Sequence, residues 1–145
     1  MDLELVYTIV NVSVLPAWLL LFVAPHHRIT QIVAHSVVMP ALLGATYVAF
    51  IAMTFSEGAG DFSTLAGVMA LFDDEVATLA GWTHYLVFDL FVGAWIVRDA
   101  KRREVHRAWA SLCLFLALML GPSGLLLYLG IRGLHSGSAM DLTEA

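Results

Sequence analysis

Four long apolar stretches alternate with short polar segments along the chain. They cover residues 5–23, 29–53, 76–97 and 108–131. A helix needs about 20 mostly apolar residues to cross a bilayer, and all four stretches are close to that length or longer. The backbone must satisfy its own hydrogen bonds in lipid, so each stretch is expected to be helical. The pattern predicts an all-α integral membrane protein, a bundle of four transmembrane helices that forms one domain over residues 1–145.

Composition favours a membrane protein over a soluble one. Hydrophobic residues make up 60% of the chain and charged residues 13%, whereas a soluble domain is typically about half apolar and about a quarter charged. A soluble four-helix bundle is disfavoured because the stretches lack wide polar faces. The single cysteine, Cys113, lies in an apolar run and excludes a disulfide framework. The sequence has no basic tract or nucleic-acid motif, so nucleic acid is not expected as a partner.

Charged residues predict how the helices are oriented. Arg28 follows the first stretch, and five more of the 7 Lys and Arg residues lie between positions 98 and 107. Segments rich in Lys and Arg face the cytoplasm. Both termini and the acidic segment 55–74, which together hold only Arg132, are therefore expected on the non-cytoplasmic side. The tail, residues 133–145, is expected to be flexible.

The link between the second and third stretches is less polar than an ordinary loop. Its apolar residues recur at helical spacing, namely Phe62, Leu65, Met69 and Phe72. The spacing predicts a short amphipathic helix over about residues 61–73 that lies in the membrane interface, with Asp61 or Ser63 as its cap. Two roles stay open for it: a segment that only packs on the bundle, or a cover over the entrance of a lipid-facing site.

The third stretch carries ionisable residues that a purely structural span would avoid. One face holds, at spacings of three and four residues, Glu75, Thr78, Trp82, Tyr85 and Asp89. A second face holds His84 with Phe88, Phe91 and Trp95. Ionisable groups inside a span are costly and usually mark function, so Asp89 and His84 are the first candidates for chemistry. A structural Asp–His or Asp–Tyr pair is the alternative.

Polar residues in the other stretches could meet these two faces. They include Tyr7, Asn11 and Trp18 in the first stretch and His35 and Tyr47 in the second. An amide in lipid needs a partner, so Asn11 is expected to bond another helix unless it binds a ligand. In the fourth stretch, Gly121-Pro122 is expected to kink the helix rather than to bind a ligand.

Burial can shift the pKa values of a carboxylate and an imidazole to values that suit proton transfer. Asp89 and His84 are therefore the predicted proton donor and acceptor, with Glu75 at the mouth of the site. The side chains predicted to bind the substrate are Trp82, Tyr85, Phe88, Asn11, Trp18 and Tyr47. Aromatic rings offer large apolar contact areas, which suits a long apolar molecule such as a polyene or another isoprenoid.

A metal or haem site is a second alternative. The six histidines include no pair at i, i+3 or i, i+4 spacing, and the sequence lacks the Glu-x-x-His pairs of di-iron bundles. Haem needs only one axial histidine, which leaves His35 and His84 as candidates. The sequence requires no cofactor, and it holds no Ser-His-Asp pattern or phosphate-binding loop of known spacing.

One pattern in the third stretch matches a known family. Glu75, then Leu79-Ala80-Gly81-Trp82-Thr83-His84, then Asp89-Leu90-Phe91 resembles the membrane family of the plant abscisic-acid-deficiency-4 protein, also called neoxanthin-synthase-like. Shorter features agree with it, namely Val23-Ala24-Pro25, Pro40 with Gly44 and Tyr47, Ser111-Leu112-Cys113, and Pro122 with Gly124. The resemblance covers residues 5–132, nearly the whole chain.

The resemblance implies a four-helix membrane protein that acts on or binds a carotenoid. Plant members are linked to neoxanthin and 9-cis-violaxanthin formation. Isomerisation or epoxide rearrangement of a carotenoid is therefore the implied reaction, and Glu75, Trp82, His84 and Asp89 match the family pattern. A non-catalytic carotenoid- or retinoid-binding protein is the alternative. The sequence shows no signal peptide or plastid transit segment before the first stretch, so a bacterial homologue in the inner membrane is expected. A homo-oligomer is compatible with the sequence.

Overall fold

The computed structural model describes residues 2–56 and 61–136, and every regular element in that part of the chain is a helix. In chain order the helices are α1 (Leu3–Ser13), α2 (Leu15–Val23), α3 (Arg28–Val33), α4 (Val38–Ser56), α5 (Leu65–Asp73), α6 (Glu75–Arg102), α7 (Arg107–Leu120) and α8 (Pro122–Ser136). The prediction of an all-α protein is confirmed for the described residues.

Three helical segments are long and apolar enough to cross a membrane: Leu3–Val23, Arg28–Ser56 and Glu75–Arg102. The first consists of α1 and α2, the second of α3 and α4, and the third is α6 alone. These segments contain the first three stretches predicted as spans. Hydropathy therefore located them within a few residues.

The first two segments are interrupted shortly before a proline. α1 ends at Ser13 and α2 contains Pro16, while α3 ends at Val33 and α4 contains Pro40. Proline lacks the N–H that would bond the carbonyl four residues earlier, and its ring crowds the preceding residue. Both interruptions therefore follow from the local sequence, although neither was predicted.

The region predicted as a fourth span, residues 108–131, is a helical hairpin. α7 ends just before Gly121, which takes a positive φ of 50°, and α8 begins at Pro122. α8 packs back on α7 so closely that a Cβ built on Gly124 would lie 2.3 Å from the backbone nitrogen of Ala117. The predicted kink is thus a reversal of chain direction, and two shorter helices replace the predicted single span.

The hairpin returns to the end of α6 from which it starts. Tyr128 Oη lies 2.8 Å from Asp99 Oδ2, and Arg132 Nε lies 3.0 Å from the same oxygen. α7 has 14 residues, which at a rise of about 1.5 Å per residue gives about 21 Å, less than the roughly 30 Å of a bilayer core. Arg132 therefore lies with the basic residues at positions 98–107, and the prediction that separated it from them is corrected.

A short helix, α5, lies between the second and third apolar segments, within the predicted residues 61–73, and its expected place in the membrane interface stays a prediction. Its N-cap is Thr64, whose Oγ1 accepts from the backbone N–H of Gly67 at 3.0 Å. Asp61 and Ser63, the predicted caps, instead bond each other in the turn that precedes the helix, where Asp61 Oδ1 accepts from the Ser63 hydroxyl at 2.7 Å. Leu71 is the buried residue of α5.

The chain divides into two compact units. The first unit takes in Met1–Leu15 and Val37–Val87, and the second takes in Pro16–Ser36 and Phe88–Ala145. Buried side chains of α4 and α6, namely Phe50, Leu79 and Ala80, form a core in the first unit. Of the tail predicted to be flexible, residues 133–136 belong to α8, and residues 137–145 lie outside the described part of the chain.

Candidate functional site

Trp82, in the first unit, joins α6 to α1. Its indole N–H donates to Asn11 Oδ1 at 3.2 Å, and the Tyr7 ring lies 6.0 Å from the Trp82 ring. The expectation that Asn11 bonds another helix is therefore confirmed. This contact also fixes which face of α6 points towards α1: the one that carries Glu75, Thr78 and Trp82.

An open cavity of about 600 Å³, the acidic cavity, lies along this face. Its acidic lining residues are Asp2, Glu4, Asp73 and Glu75, and the others are Leu3, Tyr7, Phe72, Thr78, Leu79 and Trp82. Glu75 thus lines an open cavity, and its place at the mouth of the functional site stays a prediction. Several carboxylates that line one cavity favour the binding of cations or hydroxyl donors there.

His84 lies on a different face of α6 and meets α4. Its ring centroid is 5.5 Å from that of Tyr47, with an angle of 57° between the two planes. Both rings line a cavity of about 200 Å³, the His84 cavity, whose other lining residues are Ile51, Phe62, Val68, Leu71, Phe72, Ala77 and Gly81. An imidazole and a phenol therefore share a small cavity with apolar side chains.

The segment that contains α5 forms one wall of the His84 cavity. Phe62, Val68, Leu71 and Phe72 line it from that segment. Gly81 allows the close approach, because a Cβ built there would lie 3.2 Å from Cε1 of Phe72. The segment with α5 therefore packs on its neighbours and lines a cavity, and whether it covers a site stays a prediction.

Three of the predicted substrate-binding side chains are exposed along α6, and one of them, Trp82, is 42% exposed. Tyr85 is 54% exposed in the first unit, and Phe88 is 54% exposed in the second. A large aromatic surface on a helix that can span a membrane faces either lipid or an apolar ligand. The exposure of these side chains is compatible with a substrate-binding role, which stays a prediction.

Asp89 belongs to the second unit, where it lies at the turn of the α7–α8 hairpin. A Cβ built on Gly121 would be 3.0 Å from Asp89 Oδ1. Glycine is therefore needed at this turn both for its positive φ and for the space that Asp89 occupies. Asp89 and His84 are five residues apart on one helix, so their side chains leave its axis about 140° apart.

Trp18 and His35 have structural surroundings in the second unit. Trp18 is 2% exposed, and a Cβ on Gly93 would lie 2.7 Å from its ring. His35 is bonded at both ring nitrogens: Nδ1 is 3.2 Å from Arg98 Nη1, and Nε2 is 3.1 Å from the carbonyl of Pro25. Arginine can only donate, so Nδ1 accepts and Nε2 carries the proton. This arrangement leaves His35 no ring nitrogen for haem iron.

The residues that the structure describes contain no group of three or more His, Cys, Asp or Glu side chains able to hold a metal ion. His84 is the other candidate for a single axial ligand. Its side chain is exposed and lines a cavity of about 200 Å³, and haem ligation by His84 stays a prediction.

A buried cluster around Asp99 escaped the sequence predictions. Asp99 is 1% exposed and accepts from Arg103 Nε at 3.0 Å as well as from Tyr128. Arg132 is 0% exposed, pairs with Asp99 and lies 5.7 Å over the Trp95 ring. Tyr128 and Arg132 share one face of α8 at i, i+4 spacing. An arginine at the end of an apolar stretch was the signal that a buried carboxylate lay nearby.

The chain is similar to a known protein family and to a plant protein. The family described as ABA DEFICIENT 4-like matches residues 5–128. The chain is 31% identical over 118 residues to Protein ABA DEFICIENT 4, chloroplastic, from Arabidopsis thaliana. The match covers 75% of this chain and 54% of the relative, so the chain spans about half the length of that protein. No solved structure matches the chain.

Proposed function

The chain belongs to the ABA DEFICIENT 4-like family, and from that premise we propose that it is a membrane-embedded protein that modifies a carotenoid. The family points to a carotenoid or xanthophyll, and the long apolar helices fit a lipid environment for such a ligand. The observation that supports a specific location for this activity is the His84 cavity. In it, a group able to accept a proton lies among apolar side chains beside Tyr47.

The size of the His84 cavity suggests which part of a carotenoid would enter. A volume of about 200 Å³ is below the roughly 300 Å³ at which sites for drug-sized ligands begin. An end ring would fit such a volume better than a whole polyene. The rest of the molecule would lie in lipid, where exposed side chains such as Tyr85 offer aromatic contacts.

The proposed chemistry is an isomerisation that conserves all atoms and electrons. In an epoxide rearrangement, a donor protonates the epoxide oxygen as its C–O bond breaks, and a base removes a proton from the neighbouring polyene carbon. The C–H electron pair then forms the new double bond of an allene, and the oxygen becomes a hydroxyl. His84 is the proposed base, and the Tyr47 hydroxyl is the nearest proposed donor.

Glu75 and Asp89 keep their predicted roles, but as secondary hypotheses after His84 and Tyr47. Glu75 would attract polar ends of a ligand to the acidic cavity, which it lines with Trp82. Asp89 would take part if the hairpin turn beside it gives a ligand access. We expect Asp89→Asn to lower conversion less than His84→Gln, because Asp89 lies beside Gly121 and not among the residues that line the His84 cavity.

The proposed topology has three spans followed by the hairpin, which enters and leaves on one side. All 7 Lys and Arg residues would then face the cytoplasm: Arg28, Arg98, Lys101, Arg102, Arg103, Arg107 and Arg132. The N-terminus would lie on the other side and the end of α8 in the cytoplasm, which changes the predicted position of the C-terminus. α5 would lie in the non-cytoplasmic interface. A bacterial inner membrane remains the predicted location.

Co-expression in a carotenoid-producing bacterium, followed by chromatography of the pigments, tests the function. Wild type should convert part of a xanthophyll into an isomer. His84→Gln should reduce conversion at least about a hundredfold, the lower end of what general acid–base catalysis contributes. His135→Gln, an exposed histidine on α8, is the matched control and should convert normally. Normal conversion by His84→Gln, at equal protein levels, would remove His84 from the mechanism.

A steric variant tests whether the His84 cavity holds the substrate. Gly81→Leu should fill the cavity and reduce conversion or pigment binding at least tenfold. Gly44→Leu, on α4, is the control because a Cβ at Gly44 meets no atom within 4 Å. Equal activity of the two variants would show that the cavity is not the binding site.

A non-catalytic carotenoid- or retinoid-binding protein is the second candidate, favoured by the exposed rings of Trp82 and Tyr85. It predicts a purified protein that carries a carotenoid absorbance band but leaves pigment composition unchanged. A haem protein would show a Soret band instead. Wild type that is colourless and changes no pigment would contradict both carotenoid proposals.

A further inference from the structure

A second polar cavity, the basic cavity, lies in the second unit and has no part in the proposed carotenoid chemistry. It measures about 410 Å³ and lies where the end of α2, the end of α6 and the start of α7 meet. Its ionisable residues are His26, His27, Lys101 and Arg107. None of the residues described as lining it is acidic. A cavity of this charge attracts anions.

Arg107 is held in position at the rim of this cavity. Its Nη2 donates to the carbonyls of Phe22 at 2.8 Å and Val23 at 3.0 Å. These carbonyls belong to the last turn of α2, whose negative dipole end would otherwise repel an anion. Arg107 therefore neutralises that end while its own charge stays at the cavity.

The positive potential at the rim acts on His26. Burial, followed by the charges of Lys101 and Arg107, holds the pKa of His26 below its usual value. A cation is disfavoured here, and an anion that entered would relieve the same repulsion.

The floor of the basic cavity is apolar. It is formed by Leu21, Val97, Ala110 and Leu114. Along α7 the lining changes from Arg107 to Leu114 within seven residues, a distance of about 10 Å. A free anion would contact only the basic rim, whereas an amphipathic anion would contact both the basic rim and the apolar floor.

We propose that the basic cavity binds an anionic phospholipid, with the phosphate between Lys101 and Arg107 and the first part of an acyl chain against Val97 and Leu114. Basic pockets between membrane helices on the cytoplasmic side recognise anionic headgroups in this way. A zwitterionic lipid would fit the apolar floor equally well, but it would gain less electrostatic attraction from the basic rim.

The test measures lipid binding by native mass spectrometry of the full chain released from detergent. The probes are phosphatidylglycerol, phosphatidylcholine with the same acyl chains, and inorganic phosphate as a competitor. We expect phosphatidylglycerol to bind at least tenfold more tightly than phosphatidylcholine. Inorganic phosphate at millimolar concentration should not displace it, because phosphate makes no use of the floor.

Matched variants test whether the phospholipid binds in the basic cavity. Lys101→Gln should weaken binding of phosphatidylglycerol about fivefold, as expected for the loss of one basic side chain near an anionic lipid. Arg28→Gln removes an exposed basic residue outside the cavity lining and should change binding less than twofold. The proposal fails if both variants act alike, if the two lipids bind equally, or if inorganic phosphate displaces the lipid. Carotenoid conversion is not needed for this measurement, so the outcome is independent of the proposed function.

Discussion

His84 and Asp99 lie on the same helix, in different units, and show two ways in which an apolar chain uses an ionisable residue. Asp99 is 1% exposed and accepts from Tyr128 and Arg103 while pairing with Arg132. His84 contacts the ring of Tyr47 and faces a cavity. A group whose surroundings are filled by protein stabilises the fold, whereas a group that faces space can meet a ligand.

The two surroundings also differ in what a substitution disturbs. A change at Asp99 alters several charge-assisted contacts at once, in a region where water cannot replace them. A change at His84 alters its ring contact with Tyr47 and the lining of a cavity. The contrast predicts large losses of stability in the second unit and mainly losses of activity in the first.

The largest effect is expected at Asp99. Asp99→Asn removes the carboxylate that pairs with the buried Arg132, and loss of one partner of a buried ion pair typically costs about 3–5 kcal/mol of unfolding free energy. His84→Gln should cost less than about 1 kcal/mol, since the site faces a cavity. Reversible unfolding of the purified protein in mixed micelles measures both. Equal losses at the two positions would end the distinction between them.

A double substitution sharpens this result. Asp99→Asn combined with Arg132→Met removes the buried charge altogether, and the pair should recover at least half of the stability lost by Asp99→Asn alone. If the double variant is no more stable than the single one, the loss comes from the contacts of Asp99 with Tyr128 or Arg103 and not from its pair with Arg132.

An intermediate effect is expected at the hairpin contact. Gly124→Ala would bring a Cβ within 2.3 Å of the Ala117 nitrogen, and overpacking of this kind costs about 1–3 kcal/mol. Gly130→Ala, on the same helix, meets no atom within 4 Å and should be neutral or stabilise by up to about 1 kcal/mol, because alanine favours helix. Similar melting temperatures for the two variants would argue against the close packing of α7 and α8.

The smallest effect is expected for the bond between Trp82 and Asn11. Hydrogen bonds between membrane helices contribute about 0.6 kcal/mol on average. A double-mutant cycle of Trp82→Phe and Asn11→Leu should therefore give a coupling energy near this value. A coupling above about 2 kcal/mol would make this contact as structural as the Asp99 cluster, and the first unit would no longer contrast with the second.

The sequence was sufficient for features that depend on local pattern. Apolar length located the three helical segments that could span a membrane, and helical spacing put Trp82 and His84 on separate faces of α6. The need of a buried amide for a partner led to the contact between Asn11 and another helix. Each of these follows from residues within a few turns of one another.

Other features depend on direction or on distant partners, which a linear pattern does not record. An apolar run over residues 108–131 looks the same whether it crosses the membrane once or enters it and returns. Asp99 and Arg132 are 33 residues apart, and only the hairpin brings their side chains together. The His84 cavity likewise needs α5 to fold against α6, which hydropathy cannot indicate.

The reversal at Gly121 bears on how the protein is made. With the proposed topology, the polar C-terminal residues never have to pass through the lipid, because the last apolar segment enters and leaves on the side of synthesis. The segment around α5 would be moved across the membrane by the translocation machinery, whereas the described residues of the hairpin would not. The hairpin could therefore insert after α6 is in place, using Asp99 as its docking point for the side chains of α8.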